Sequence, residues 1–316
     1  SAASDVYKRQ MVEEWNNNKR TKKGSISMNE VRKVDIRDSV KTVTSNNFIS
    51  AKGLETLSLK ARKMLYIAIS QCRMTDETFF VYSISAKEFA EIMEISPQAV
   101  YAEADKITNE LIRGILQVSP KGEEGFKKYA LFSMCEYEHG ILRFKLNPDM
   151  TSFLLRLKGD FSKPLLSDFL KMRSTYSIAI WHLMQREMKS QKPYASVKIE
   201  FDLMLSELRE VTGTQKKLKQ LGQFKEKCFE KALQEIHDIC GVEITYTNIK
   251  KGRTVVGFHC TAVSLNYIDE KDLPQELKDR IRLGQLRIES NKRVLTIDEK
   301  NEVEQLEQIE MMLNFR

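Results

Sequence analysis

The 316-residue sequence carries only five cysteines, Cys72, Cys135, Cys228, Cys240 and Cys260, scattered and without a CxxC pair. That spacing argues against a zinc ribbon and sketches no disulfide framework, so a reducing compartment is the simpler expectation. No apolar run of about 18 residues exists to cross a membrane, and no basic start leads into an apolar signal segment. A cytoplasmic protein with no membrane partner is expected. GxxxxGK[ST] is missing, which leaves P-loop ATP hydrolysis unsupported. The four histidines, His139, His182, His237 and His259, have neither HExxH nor His-x-His spacing, and Tyr176 lacks the paired histidines that a nicking tyrosine requires. These absences lead to the expectation of a protein that is not an enzyme and has no cofactor or metal.

The charge balance is modest. Lys and Arg total 51 against 44 Asp and Glu, a formal charge of +7. That suits a polyanionic partner without requiring one, so the distribution along the chain has to decide.

Residues 1–10, which precede Met11, read as an appended scar, and 1–39 as a disordered arm with a basic cluster at Lys19, Arg20, Lys22 and Lys23. Folded sequence is expected from Val40. Ala61 to Cys72 reads as a buried helix and Phe79 to Ile84 as a strand. Ser85 and Glu88 form a capping box that opens a helix with Phe89, Ile92 and Met93 on one face. Ser96 caps and Pro97 begins a second helix with Val100, Ala104, Ile107, Leu111 and Ile115 inward. Gln98, Tyr101, Glu103, Asp105 and Lys106 remain on its outer face. A strand ending at Pro120, a turn at Lys121 to Gly125, and strands over Phe126 to Tyr137 and Ile141 to Leu146 follow, broken at His139-Gly140. Two helices followed by a hairpin are the signature of a winged helix, a small domain that can lay its second helix in the major groove of DNA.

The pattern then starts again. Tyr176 to Met188 matches the first buried helix, Val197 to Phe201 the strand, Leu203 to Val211 and Phe224 to Ile239 the helical pair, and Val242 to Tyr246 with Thr254 to Val263 the hairpin. The repeat is far longer than a solenoid unit of roughly 20 to 50 residues. The expected fold is therefore α+β, two tandem winged-helix domains at 40–158 and 159–264, each a helical core with a small antiparallel wing sheet. A helical tail over 265–316 carries a basic cluster at Arg280, Arg282 and Arg287. It also has a capping box at Thr296 and Glu299, and an apolar stripe of Val303, Leu306, Ile309 and Leu313 that is expected to dock in cis.

Phosphates need exposed cations, and base edges need side chains at the start of the inserted helix. In the second domain Lys216, Lys217 and Lys219 lie in the turn before that helix, and Lys225, Lys227 and Lys231 in its front half. Lys250, Lys251 and Arg253 form the wing tip. The first domain offers Gln98, Tyr101, Lys106 and Arg113 on or beside its helix, and Lys121, Lys127 and Lys128 near its wing. It is the less basic half.

The stretches TVTSNNFISAKGLETLSLKARKMLYIAI, MRSTYSIAIWHLMQREM, FKEKCFEKALQEIHDICGVEITY and KKGRTVVGFHCTAV, in this order, resemble the plasmid replication initiators that bind repeated origin sites called iterons. The resemblance covers roughly Val40 to Val263. It implies two winged helices that share one iteron, with Lys225, Lys227 and Lys231 of the second domain in the major groove. It also implies a dimer that represses its own promoter, and a monomer that opens the origin and recruits host replication proteins. A two-winged-helix transcriptional regulator, a protein-interaction module and a nicking enzyme are the competing readings.

Overall fold

The computed structural model describes residues 31–73, 75–119, 124–189, 198–265, 275–290 and 293–314. At its centre lie two helices that are buried nearly all round. The first, α2 (Leu59–Ser70), follows the four-residue α1 (Asn46–Ile49) and is capped by Ser58, whose hydroxyl accepts from the Ala61 amide at 3.3 Å. Its counterpart is α7 (Thr175–Glu187), capped by Ser174 and anchored through Trp181, whose indole N–H donates to Asp168 at 3.2 Å. Tyr66 of α2 stacks at 4.3 Å on Phe169 of α6 (Leu166–Lys171), the short helix that follows α5 (Thr151–Leu154). A single hydrophobic core runs through both halves of the chain.

Around each central helix the same parts recur. In the first half β3 (Val81–Ser85) leads into α3 (Ala86–Met93) and α4 (Val100–Arg113), then β6 (Phe132–Glu138) and β7 (Ile141–Leu146). In the second half β9 (Ile199–Met204) leads into α8 (Leu205–Val211), the long helix α9 (221–240), then β10 (Val242–Lys251) and β11 (Thr254–Ser264). The sheet orders correspond as well: β3-β7-β6 in one, β9-β11-β10 in the other, antiparallel throughout. This is the expected tandem winged-helix fold.

The first domain carries additions that its sequence hides. Strand β1 (Val31–Lys33) pairs in parallel with β3, within residues expected to belong to the arm. Arg32 holds it there with two bonds to Asp76 at 2.9 and 3.0 Å and by lying 3.4 Å over the Phe80 ring. The Gln71 side chain clamps the backbone of Asp35 on both sides, accepting at 2.7 Å and donating at 2.9 Å. Order thus begins at least nine residues before Val40, while residues 1–30, including the basic cluster of the arm, lie outside the described residues.

The expected strand over Phe126 to Tyr137 is two strands. Strand β5 (Lys127–Ala130) pairs with β4 (Ile115–Val118) in a separate ribbon, and β6 pairs with β7. The chain changes partner at buried Leu131. Ile115 consequently belongs to β4 and is 46% exposed, whereas Val100, Ala104, Ile107 and Leu111 are buried as their spacing requires.

The capping box of α3 is present: the Ser85 hydroxyl accepts from the Glu88 amide at 3.2 Å, and the Glu88 carboxylate accepts from the Ser85 amide at 3.1 Å. The Ser85 hydroxyl, which donates to the Glu88 carboxylate at 2.7 Å, then Lys33 at 2.9 Å and the Ser85 amide, hold the Glu88 carboxyl down to about 2. Ser96 makes no capping bond. Pro97 instead starts a short 3-10 turn, Pro97–Ala99, which runs into α4.

The residues beyond 158 do not leave the first half at once. Strand β8 (Phe161–Ser162) pairs with β2 (Thr44–Ser45), and α7 packs on elements of both halves. Packing is therefore continuous across 158 and 159. Arg186 of α7 donates to Ser50 and Glu207, and Arg62 donates to the carbonyls of Leu54 and Thr175. Between them His182 is wholly buried, bonded to Thr44 and Tyr66 at 2.8 Å each. Burial, with Arg62 and Arg186 as neighbouring cations, pushes its pKa down to about 3 and keeps it neutral.

In the tail, helices α10 (Gln275–Ser290) and α11 (Ile297–Asn314) pack on each other through Leu283, Leu286, Val303 and Leu306. Val303 and Leu306 of the stripe thus dock in cis, on the tail's own first helix, while Ile309 is exposed and the Leu313 side chain lies outside the described residues. Thr296 and Glu299 form their capping box. Arg282 and Arg287 are paired with Glu302 and Glu307, which neutralises much of the expected basic cluster.

Candidate nucleic-acid interface

Helix α9 begins at Leu221–Phe224, widens into a π segment at Lys225–Phe229, and continues as Glu230–Cys240. The π turn lets the consecutive side chains of Cys228 and Phe229 both enter the core. Phe229 stacks on Phe258 of β11 at 4.6 Å, and Tyr246 of β10 meets both rings edge-on at 5.1 and 5.0 Å. Cys228 fills the inner face as its position predicts. Burial pushes the thiols of Cys72, Cys135, Cys228 and Cys260 up to about 12, so none is a thiolate at neutral pH.

This aromatic weld places three basic elements around one helix start. The first is the turn between α8 and α9, where Lys216, Lys217 and Lys219 are exposed. Arg209 ties that turn back to α8 and lies 4.7 Å from the Phe224 ring. The second is α9 itself, whose Lys227 and Lys231 are exposed. The third is the wing. Strands β10 and β11 are joined by Gly252 and Arg253 alone, a two-residue loop that needs φ of 63° at Gly252, and Lys250, Lys251 and Arg253 stand exposed around it.

Lys225 differs from its neighbours. Its amine donates to Asn248 at 2.9 Å and lies 4.8 Å from the Tyr246 ring and 5.2 Å from the Phe258 ring. It clips the helix to the wing. Nearby, the Tyr246 hydroxyl donates to Glu230 at 2.7 Å, and burial followed by that carboxylate raises its pKa.

The first domain has the same parts with different chemistry. Gln98 and Lys106 are exposed, and Tyr101 is 72% exposed with its ring edge-on to Tyr137 at 5.9 Å. Glu103 is paired with Lys60 at 2.8 Å. The tip that corresponds to Lys250 to Arg253 is His139-Gly140, and Glu136 and Glu138 beside it face Arg143 of β7 at 3.7 and 3.9 Å, so this wing has no basic tip. Lys127 and Lys128, expected near the wing, lie instead on β5 in the additional ribbon, because β5 pairs with β4, and Lys128 lies over the exposed Phe126 ring; Lys121 lies outside the described residues. An apolar groove lined by Ala90, Ile95, Pro97, Val100 and Tyr137 adjoins the helical pair, with Glu91 and Glu94 at its rim.

Among the described residues no group of His, Cys, Asp and Glu side chains could hold a metal ion, and no helix is long and apolar enough to cross a membrane.

Two family models match the chain in tandem, the first extending into α7. The model described as initiator replication protein, first winged helix, matches residues 41–185, and that of the second winged helix matches 204–261. The chain belongs to the plasmid replication initiator family. The winged helices of a replication initiator are DNA-binding rather than catalytic modules, and this initiator is in that general sense a DNA-binding replication protein. Among solved structures, that of the Pi initiator protein in complex with iteron DNA is similar over 72% of this initiator and 99% of its own chain. At 19% identity and a TM-score of 0.61, that match shows a shared fold. Domains 2 and 3 of RctB match over 65% of this chain and 80% of theirs, at 10% identity and a TM-score of 0.38, too low to support an argument. No curated protein matches the initiator's sequence.

Three signals in this interface escape sequence reading: the clip at Lys225, the π segment, and Arg209. The first depends on partners more than 20 residues away, and Arg209 binds backbone carbonyls, which have no sequence signature.

Proposed function

We propose that this initiator binds double-stranded DNA at tandem repeats of its plasmid origin, gripping mainly with its second domain. The observation that carries the reading is the convergence of the 216–219 turn, the exposed face of α9 and the wing tip around one helix start. In this reading Lys216, Lys217, Lys219, Lys250, Lys251 and Arg253 contact phosphates and fix the docking register. Lys227 and Lys231 face the major groove from α9. Lys225 holds the helix against the wing. In the first domain Gln98, Tyr101 and Lys106 add a lighter contact, because its wing lacks the basic tip of the second, and the rest of that domain serves register and dimerisation. The Pi initiator was solved with iteron DNA, which supports repeats as the target class. Repression of its own promoter by a dimer, origin opening by a monomer and recruitment of host replication proteins in the cytoplasm complete the proposal. With no P-loop in the sequence, binding energy has to supply the work of bending or opening the duplex.

Titration of a fragment carrying the repeats beside its own gene tests this reading against a shuffled fragment. Tight, salt-dependent and repeat-selective binding is expected. A single palindrome bound as well as the array would favour a regulator, and equal affinity for shuffled DNA would end the initiator reading.

A further inference from the structure

Arg209, in the last turn of α8, spends its charge inside the protein. Its Nη1 donates to the carbonyl oxygens of Thr214 at 3.2 Å and Leu218 at 3.0 Å, and its Nη2 to that of Lys219 at 3.1 Å. The guanidinium carbon lies 4.7 Å from the centre of the Phe224 ring at the start of α9. One side chain thus spans the preceding helix, three peptide groups of the basic turn and the first turn of the following helix. Only a planar fork with several fixed donors can do this; an ammonium on a flexible stem cannot reach three carbonyls at once.

The turn it holds is not a relaxed loop. Gly213 has φ of 65° and Leu218 φ of 49°, the second an unfavourable conformation for a branched apolar residue. Thr212 closes the near end, its hydroxyl donating to the Leu208 carbonyl at 2.6 Å and meeting the Thr214 hydroxyl at 3.0 Å. The far end, Leu218 and Lys219, is held by Arg209 through their carbonyls. Lys216, Lys217 and Lys219 project from the turn so formed.

We propose that Arg209 is a positioning residue for DNA binding, which sets these three amines as a preformed phosphate-binding turn in fixed register with α9. The proposal rests on the DNA reading above. A turn ordered in advance does not have to be ordered on binding, and the difference appears as affinity.

The experiment is a double-mutant cycle on the full chain with the repeat fragment, read over several salt concentrations, with thermal melting to establish that each variant is folded. The variants are Arg209→Met, Arg209→Lys, the triple Lys216→Gln, Lys217→Gln, Lys219→Gln, and the triple combined with each change at Arg209. The triple variant should lower the salt slope by about 2.7, at about 0.9 per phosphate. Arg209→Met should weaken repeat binding about fivefold to tenfold, the cost of ordering a few side chains on binding. It should change binding less than about twofold once the three lysines are gone, because additivity fails for groups that act together. Equal losses in both backgrounds, or no loss, would overturn the proposal. So would full recovery by Arg209→Lys, which keeps the charge and loses the fork. If Arg209→Met does not fold, Arg209→Lys supplies the same cycle. A triple variant with an unchanged salt slope would instead remove the DNA reading of the turn, whatever Arg209 does.

Discussion

Mild acid should loosen the junction between the two winged helices, and His182 sets the size of the effect. The imidazole is wholly buried between Thr44 and Tyr66, and its pKa falls from an ordinary 6.5 to about 3. Below pH 6.5 the unfolded chain takes up a proton at this position and the folded chain does not. Stability is therefore complete above 6.5 and declines as the pH falls toward 3. Each pH unit in that window costs about 1.4 kcal/mol, so the step from pH 6.5 to pH 5 costs roughly 2 kcal/mol. Carboxylates held low, such as Glu88 at about 2, exert their destabilising effect mainly below pH 4.5 and leave the window largely clear. His182→Gln can keep one donor and one acceptor in place and does not titrate. Denaturant unfolding of both proteins at pH 7 and pH 5 should show the wild type losing about 2 kcal/mol more than the variant. Equal losses would refute a buried neutral histidine at the junction.

Lys225→Met should lower stability by about 1 kcal/mol, the worth of exposed cation–π contacts and a surface hydrogen bond, and leave the salt slope of DNA binding unchanged. Lys250→Gln should do the reverse, lowering the slope by about 0.9 with the melting temperature intact. Gly252→Val forces a branched residue to φ of 63° and should destabilise the wing by about 1 to 2 kcal/mol, visible as faster amide exchange along β10 and β11. Cys72, Cys228 and Cys260 should resist a thiol reagent at pH 8 in the native protein and react once it is unfolded, since burial raises each thiol to about 12.

Much of this fold was legible in the sequence because it is written locally. The capping boxes at Ser85 with Glu88 and Thr296 with Glu299, the buried helices α2 and α7, and the hairpin around Gly252 each follow from residues a few positions apart. The duplication was legible because those local signals recur in the same order. Distant backbone pairing was not. Strand β1 is three residues long and meets β3 fifty positions away, and nothing in Val31 to Lys33 announces a parallel partner. The division of Phe126 to Tyr137 at Leu131 reflects a change of partner rather than of composition.

The candidate interface shows the same limit. Spacing and charge identify the lysines of the turn, the helix and the wing, and the structure brings them around one helix start. Sequence cannot separate Lys225, whose amine is engaged by Asn248 and two aromatic rings, from Lys227 two positions on. Nor does it show that Lys127 and Lys128 lie on a ribbon apart from the first domain's wing. That assignment needs the sheet order that pairs β6 with β7.

The central claim is that this chain recognises repeated DNA through its second winged helix. Its most direct test is the ratio of affinities for the repeats flanking its own gene and for random DNA of equal length, measured at physiological salt. A ratio on the order of a thousand or more, abolished by combined Lys227→Gln and Lys231→Gln changes, is the predicted result. A ratio near one would contradict it.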